Sequence, residues 1–111
     1  GSTIRVLVRT EQASVIHCSL AAGAVSRAVR HASVEEIWYC LRGSGRLWRR
    51  DAAGARTDTL SASTIVTLSA GTCFQFRNDG SATLELLITT MPRWPGDDEA
   101  SRCDGYWEPQ I

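Results

Sequence analysis

The stretch His31-Ala32-Ser33-Val34-Glu35-Glu36-Ile37-Trp38-Tyr39-Cys40-Leu41-Arg42-Gly43-Ser44-Gly45 decides how this chain is read. It sets a His and two Glu at the start of an apolar run and closes that run with two glycines. Glu36–Leu41 has the length and the aromatic and branched content of a β-strand. Successive side chains of a strand alternate between its faces, so Glu36, Trp38 and Cys40 share one face. Gly43 and Gly45 then offer two positions where the backbone can turn with φ > 0.

The same rhythm extends in both directions. Thr3–Val8, Ser14–Leu20, Val25–Val29, Arg46–Arg50, Arg56–Leu60, Thr64–Leu68, Thr72–Phe76 and Thr83–Thr89 read as further strands. Asp51-Ala52-Ala53-Gly54 closes a hairpin, and Asn78-Asp79-Gly80 marks another turn. No segment carries a convincing helical period. A chain of 111 residues with this pattern is expected to be a single all-β domain, a sandwich or barrel. Gly1-Ser2 reads as a cloning scar, the barrel spans about residues 3–90, and a tail follows over 91–111. The tail holds Pro92, Pro95 and Gly96, and its acidic run Asp97-Asp98-Glu99 reads as a solvated surface turn. Tyr106 and Trp107 are costly to expose, so the tail is expected to be ordered across the barrel or a partner subunit.

Twelve basic and twelve acidic residues balance to a formal net charge of +0. Nothing in that balance calls for nucleic acid or a membrane surface as partner. Every basic residue is Arg, which suggests a GC-rich bacterial source. Cys18, Cys40, Cys73 and Cys103 form no CxxC pair, which excludes a zinc ribbon or a thioredoxin motif. Three of them fall in expected strands, where a free Cys behaves as a small buried hydrophobe. No secretory leader pattern stands out, and no apolar run approaches the roughly 20 residues of a membrane helix. A cytoplasmic protein with reduced thiols is the expectation.

The stretch from His31 to Gly45 resembles the first motif of the cupin family. There, two His separated by one residue are followed by a Glu and, after six further residues, by a Gly. Counting back from Gly43 makes Glu36 the metal-binding Glu and His31 the second His, with Val29 in place of the first. Gly23 suits the Gly that opens the motif. Ser69-Ala70-Gly71-Thr72-Cys73-Phe74-Gln75-Phe76-Arg77-Asn78 resembles the second motif, Pro-x-Gly-x-x-His-x-x-x-Asn. Gly71 and Asn78 are kept, Ser69 replaces the Pro, and Phe74 replaces the His. The resemblance covers roughly Ser14 to Thr90. It implies an all-β cupin of the double-stranded β-helix type, a small RmlC-like jelly-roll barrel, with half of the family's metal ligands missing.

Two ligands beside an apolar Val and Phe will not hold a divalent ion tightly. No cofactor is therefore expected; a metal, if any, would rest on His31 and Glu36, with Cys73 or His17 as a non-standard addition. Alternation places Arg27, Val29 and His31 on one inward face and Phe74 and Phe76 on another, beside Glu36, Trp38 and Cys40. Trp48 joins them if the bend after Gly45 allows. Apolar walls with a few placed polar groups suit a small-molecule pocket. Desolvation by Trp and Phe should raise the pKa of Glu36, while a nearby imidazole should oppose that rise.

Three functions compete, with a purely structural role as a weaker fourth. The first is a metal-independent enzyme acting on a hydrophobic carbonyl compound, with His31 and Glu36 as a catalytic acid–base pair. Arg27, Val29, Trp38, Cys40, Trp48, Phe74 and Phe76 would bind the substrate. The resemblance implies a cyclase, dehydratase or isomerase of bacterial secondary metabolism, such as polyketide formation. The second is a binding or sensor module without turnover. The third is a metal-dependent oxygenase or isomerase with a rebuilt site. A homodimer is expected from the way cupins of this kind pair through their outer strands.

Overall fold

A computed structural model describes residues 2–110. Ten strands follow in order: β1 Thr3–Arg9, β2 Ser14–Leu20, β3 Val29–His31, β4 Glu35–Arg42, β5 Ser44–Asp51, β6 Gly54–Ser61, β7 Ile65–Leu68, β8 Cys73–Asn78, β9 Leu84–Met91 and β10 Ala100–Arg102. No helix occurs among the described residues. The strands form two five-stranded sheets, ordered β1-β2-β9-β4-β7 and β10-β3-β8-β5-β6. Every pairing is antiparallel.

Alternation builds the core between the sheets. In β4, Glu36, Trp38 and Cys40 are buried while Glu35, Ile37, Tyr39 and Leu41 are exposed. Leu84, Leu86 and Ile88 of β9 point the same way, and Leu47, Leu60, Phe74 and Phe76 meet them from the opposite sheet. The inward face of each sheet is thus largely apolar, the arrangement that stabilises two packed sheets.

The turns behave as their residues dictate. Gly43 has φ +97°, and a Cβ there would lie 2.7 Å from the Leu84 Cα. A Cβ on Gly45 would collide with the Arg77 carbonyl oxygen, so no side chain fits where β5 pairs with β8. Asn78 ties its turn together: its Nδ2 donates to the carbonyls of Leu20 (2.9 Å) and Ala82 (2.8 Å), and its Oδ1 accepts from the Gly80 amide at 2.9 Å.

Four expectations need correction. Of the expected strand Val25–Val29 only Val29 is strand, as the first residue of β3; Val25 makes isolated bridges to Arg77 and to Gln110 of the tail. Backbone groups near it are shared between β8 and the tail, so no continuous ladder forms. Cys73 and Cys103 are joined in a disulfide, so two of the four cysteines are not free thiols. Cys73 faces outward from β8, and the tail carries Cys103 across it. The cytoplasmic expectation loses the support that it drew from reduced thiols. Glu99, expected in a solvated turn, is buried and hydrogen-bonded, whereas Asp97 and Asp98 are exposed. Trp48 points away from the barrel interior: its neighbour Leu47 pairs with inward Phe76, so Trp48 pairs with outward Gln75.

The tail packs on the outer face of the second sheet. Ala28, Trp48 and Cys73 form a small buried cluster with Cys103 and Trp107 against it. Gln75 is fully buried and holds the tail from both ends of its amide. Its Oε1 accepts from the amides of Tyr106 and Trp107, and its Nε2 donates to the carbonyls of Ser26 and Trp107. Gly1 and Ile111 lie outside the described residues.

Candidate functional site

A cavity of about 430 Å³ opens between the sheets. Its mouth lies between β1 on one side and the segment leading into β3 on the other. Ile4 and Val6 of β1 and the exposed Arg27 stand at this rim. Deeper in, Ile16, Val29, Trp38, Phe74, Phe76 and Ile88 make apolar walls. The rings are held edge to face. Trp38 lies 5.5 Å from Phe74 and 5.1 Å from Phe76, a geometry that fixes aromatic walls.

The polar groups gather at one end. Glu36, the second residue of β4, lies between Leu68 of β7 and Thr90 of β9, and its side chain is 4% exposed. Its Oε1 accepts from the Trp38 indole Nε1 at 2.9 Å. Its Oε2 lies 3.7 Å from the His31 Nδ1, facing it but beyond direct hydrogen-bond length. Burial pushes the Glu36 carboxyl up to about 7, with the Trp38 N–H acting against that rise. Burial also pulls His31 below the ordinary range of an imidazole, with the Glu99 charge opposing it. Near neutral pH, His31 is thus an uncharged donor and acceptor beside a carboxyl poised to take up or release a proton.

The structure brings together Arg27, Val29, His31, Glu36, Trp38, Phe74 and Phe76 around this cavity. It leaves out Cys40 and Trp48. Cys40 does face inward, but two residues beyond Trp38 it is packed into the core past the cavity floor. Burial raises its thiol pKa, which leaves it unsuited to nucleophilic work. Trp48 lies on the opposite face of its sheet, stacked on Tyr106 at 6.0 Å. The cavity also takes Ser14, Ile16, Cys18, Ile88 and Thr90 from β2 and β9, which no sequence motif marks. Trp94 is the largest omission. It lines the cavity and lies 5.0 Å edge-on from the His31 ring, opposite Phe74 at 5.1 Å. Its only sequence signal is an aromatic set between Pro92 and Pro95.

The donor set does not fit a metal ion. Val29 and Phe74 are direct cross-strand partners at the two other ligand positions. Among the described residues no group of three or more His, Cys, Asp and Glu side chains could hold one. The non-standard ligands are also removed: Cys73 is disulfide-bonded on the outer face, and the His17 Nε2 lies 3.0 Å from Glu85 Oε1.

No family model matches the sequence, and no curated protein matches it. Solved structures do. An uncharacterised conserved protein with a double-stranded β-helix domain from Klebsiella pneumoniae superimposes with TM-score 0.77 at 14% identity, over 94% of this chain and 85% of that one. TT1209 from Thermus thermophilus gives 0.72 at 18% identity, over 83% and 84%. The cupin domain of Schizosaccharomyces pombe Cnp3 gives 0.74 at 14% identity, over 82% and 64%. The chain therefore has the cupin fold, an all-β jelly-roll barrel of the double-stranded β-helix type. Similarity at this level of identity defines the fold and leaves the chemistry to the site.

Proposed function

We propose that this cupin is a metal-independent enzyme that moves a proton next to a carbonyl group of an apolar substrate. The observation that carries this reading is the buried Glu36 carboxyl, raised to about 7 and facing the neutral His31 across 3.7 Å. Ionised Glu36 takes the proton from the carbon beside the carbonyl. The His31 N–H donates to the carbonyl oxygen, where negative charge develops. Protonated Glu36 then returns the proton to a different carbon, giving isomerisation, or delivers it to a departing hydroxyl, giving water and a dehydrated product. The aromatic walls exclude water and hold a hydrophobic substrate in a folded pose. Cyclase, dehydratase or isomerase work in bacterial secondary metabolism, polyketide formation included, is the setting that such a pocket suits.

Proton abstraction is testable without the natural substrate. In D2O, 2-tetralone with the wild-type protein should exchange the hydrogens beside its carbonyl faster than buffer alone, and Glu36→Gln should return the rate to background. Equal rates for both proteins would overturn the reading. The same pocket supports a second reading, a binding or sensor module. Its mark would be saturable binding of apolar ketones with no exchange.

A homodimer is part of the proposal. Among the described residues β1 ends its sheet with one edge unpaired, and Ile4, Val6, Leu7 and Val8 are each about half exposed. An unpaired edge of this kind is a ready template for a second copy.

A further inference from the structure

The segment that joins β9 to β10 crosses the rim of the cavity and touches the site twice. At Trp94 its ring abuts His31, and its amide donates to the Ser14 hydroxyl at 3.1 Å. At Glu99 it takes hold of the short link between His31 and Glu36. β3 ends at His31 and β4 begins at Glu35, so only Ala32, Ser33 and Val34 lie between the strands. All three of their amides donate to Glu99. The Ala32 amide donates to the Glu99 carbonyl oxygen at 2.9 Å. The Ser33 and Val34 amides donate to Oε2 at 2.7 and 2.8 Å, and the Ser33 hydroxyl donates to Oε1 at 2.6 Å.

A carboxylate 5% exposed is costly unless its oxygens are satisfied, and here three donors satisfy them. Burial alone would push the Glu99 pKa up, but the Ser33 hydroxyl and the two amides outweigh it and hold it below the ordinary carboxylate range. Glu99 thus stays ionised beside a neutral His31 and a Glu36 carboxyl poised between its charged and uncharged forms. Solvent-exposed turns need no such anchor.

We propose that Glu99 is a positioning residue of the pocket, fixing the Ala32–Val34 link and thereby the approach of the His31 ring to the Glu36 carboxyl. This inference rests on the reading of His31 and Glu36 as the working groups. The charged groups facing His31 are Glu36 from β4 and Glu99 from the crossing segment. β8 and Trp94 present only aromatic rings to it, and Arg9 and Arg27 stand exposed at the rim.

The experiment is an NMR titration of the His31 imidazole in the full chain, comparing wild type with Glu99→Gln and Glu99→Ala. Gln keeps an oxygen for the two amides and turns an NH2 toward the Ser33 hydroxyl, which can accept from it, so the link stays held while the charge is lost and the His31 pKa should fall further. Ala releases the link and lets water reach the ring, so the pKa should rise toward its ordinary value. Downward shifts of equal size in both variants would show that Glu99 acts through charge alone and would overturn the proposal, as would no shift in either. Should Glu99→Ala fail to fold, Glu99→Asp keeps the charge but cannot span to the link. An upward shift is expected there, and no shift or a fall overturns the proposal. Exchange into 2-tetralone is measured on the same samples. A drop of about tenfold or more in Glu99→Ala is expected, larger than the drop in Glu99→Gln. Opposite titration shifts with no exchange in any sample would retain the positioning role and reject the proposed chemistry.

Discussion

The Trp38 indole donates to the Glu36 carboxylate at 2.9 Å from two positions along the same face of β4. One strand thereby supplies both the acid of the site and the hydrogen bond that restrains its pKa. Trp38→Phe removes the donor while keeping an aromatic wall. The Glu36 carboxyl should then titrate above about 7, read by carboxyl-carbon NMR. The smaller ring should also cost roughly 1–2 kcal/mol of stability through the space it leaves. A carboxyl that titrates unchanged would mean that the indole does not restrain it.

Glu36 should make stability depend on pH. Its folded pKa of about 7 lies above the ordinary carboxyl value of 4.5, so between those limits the folded state holds a proton that the unfolded chain has released. Stability is therefore lost as pH rises through that window. Glu36→Gln should be nearly neutral at pH 4 and more stable than wild type at pH 8, by about 3 kcal/mol at most. Denaturant melts at the two pH values give the comparison, and a gain independent of pH would contradict it.

Val29 and Phe74 face each other across β3 and β8 at the positions where the family's motifs place His. The double substitution Val29→His and Phe74→His adds two imidazoles to His31 and Glu36. It should bind cobalt(II) or nickel(II) near one ion per chain, while wild type takes up little. Stoichiometric metal in the wild type would mean that the chain holds a ligand set outside these residues.

The disulfide between Cys73 and Cys103 closes a loop with a sequence separation of 30. Thiol titration of the denatured, unreduced protein should find two reactive groups, Cys18 and Cys40, and four after reduction. In the chain-entropy picture a loop of this size contributes roughly 3–4 kcal/mol, so Cys103→Ser should lower Tm markedly. In the folded protein both free thiols should react slowly. They are buried, and burial pushes Cys18 up to about 11 despite a hydrogen bond with Ser2.

Leu7 lies on the exposed edge strand β1, 48% accessible. Sedimentation velocity should report a dimer for the wild type, and Leu7→Asp should shift it toward monomer by placing a charge in the apolar contact. A monomeric wild type at tens of micromolar would remove the dimer from the proposal.

Much of the barrel was legible along the chain because its cause is local. Glu36, Trp38 and Cys40 share a face by strand geometry alone, and Gly43, Gly45 and Asn78 mark turns that their own chemistry demands. The pairing of His31 with Glu36 could be read because both lie within six residues and in a motif. Trp94 and Glu99 could not. Each reaches the site from a segment more than fifty residues away, and nothing in Pro92–Glu99 names its contact. The face of Trp48 is not legible in the sequence because it depends on which residue of β5 first turns inward after Gly45, and that is set by the register with β8.

The sequence by itself determined an all-β chain, the inward side of β4, and apolar residues at Val29 and Phe74 where the family resemblance implies His, because alternation and residue type are properties of short stretches. Only the tertiary structure decided that Cys73 meets Cys103, that Gln75 clamps the tail, and that Glu99 grips the link between His31 and Glu36. Those contacts join residues distant in sequence, and the packing of two sheets and a returning tail brings them within bonding distance.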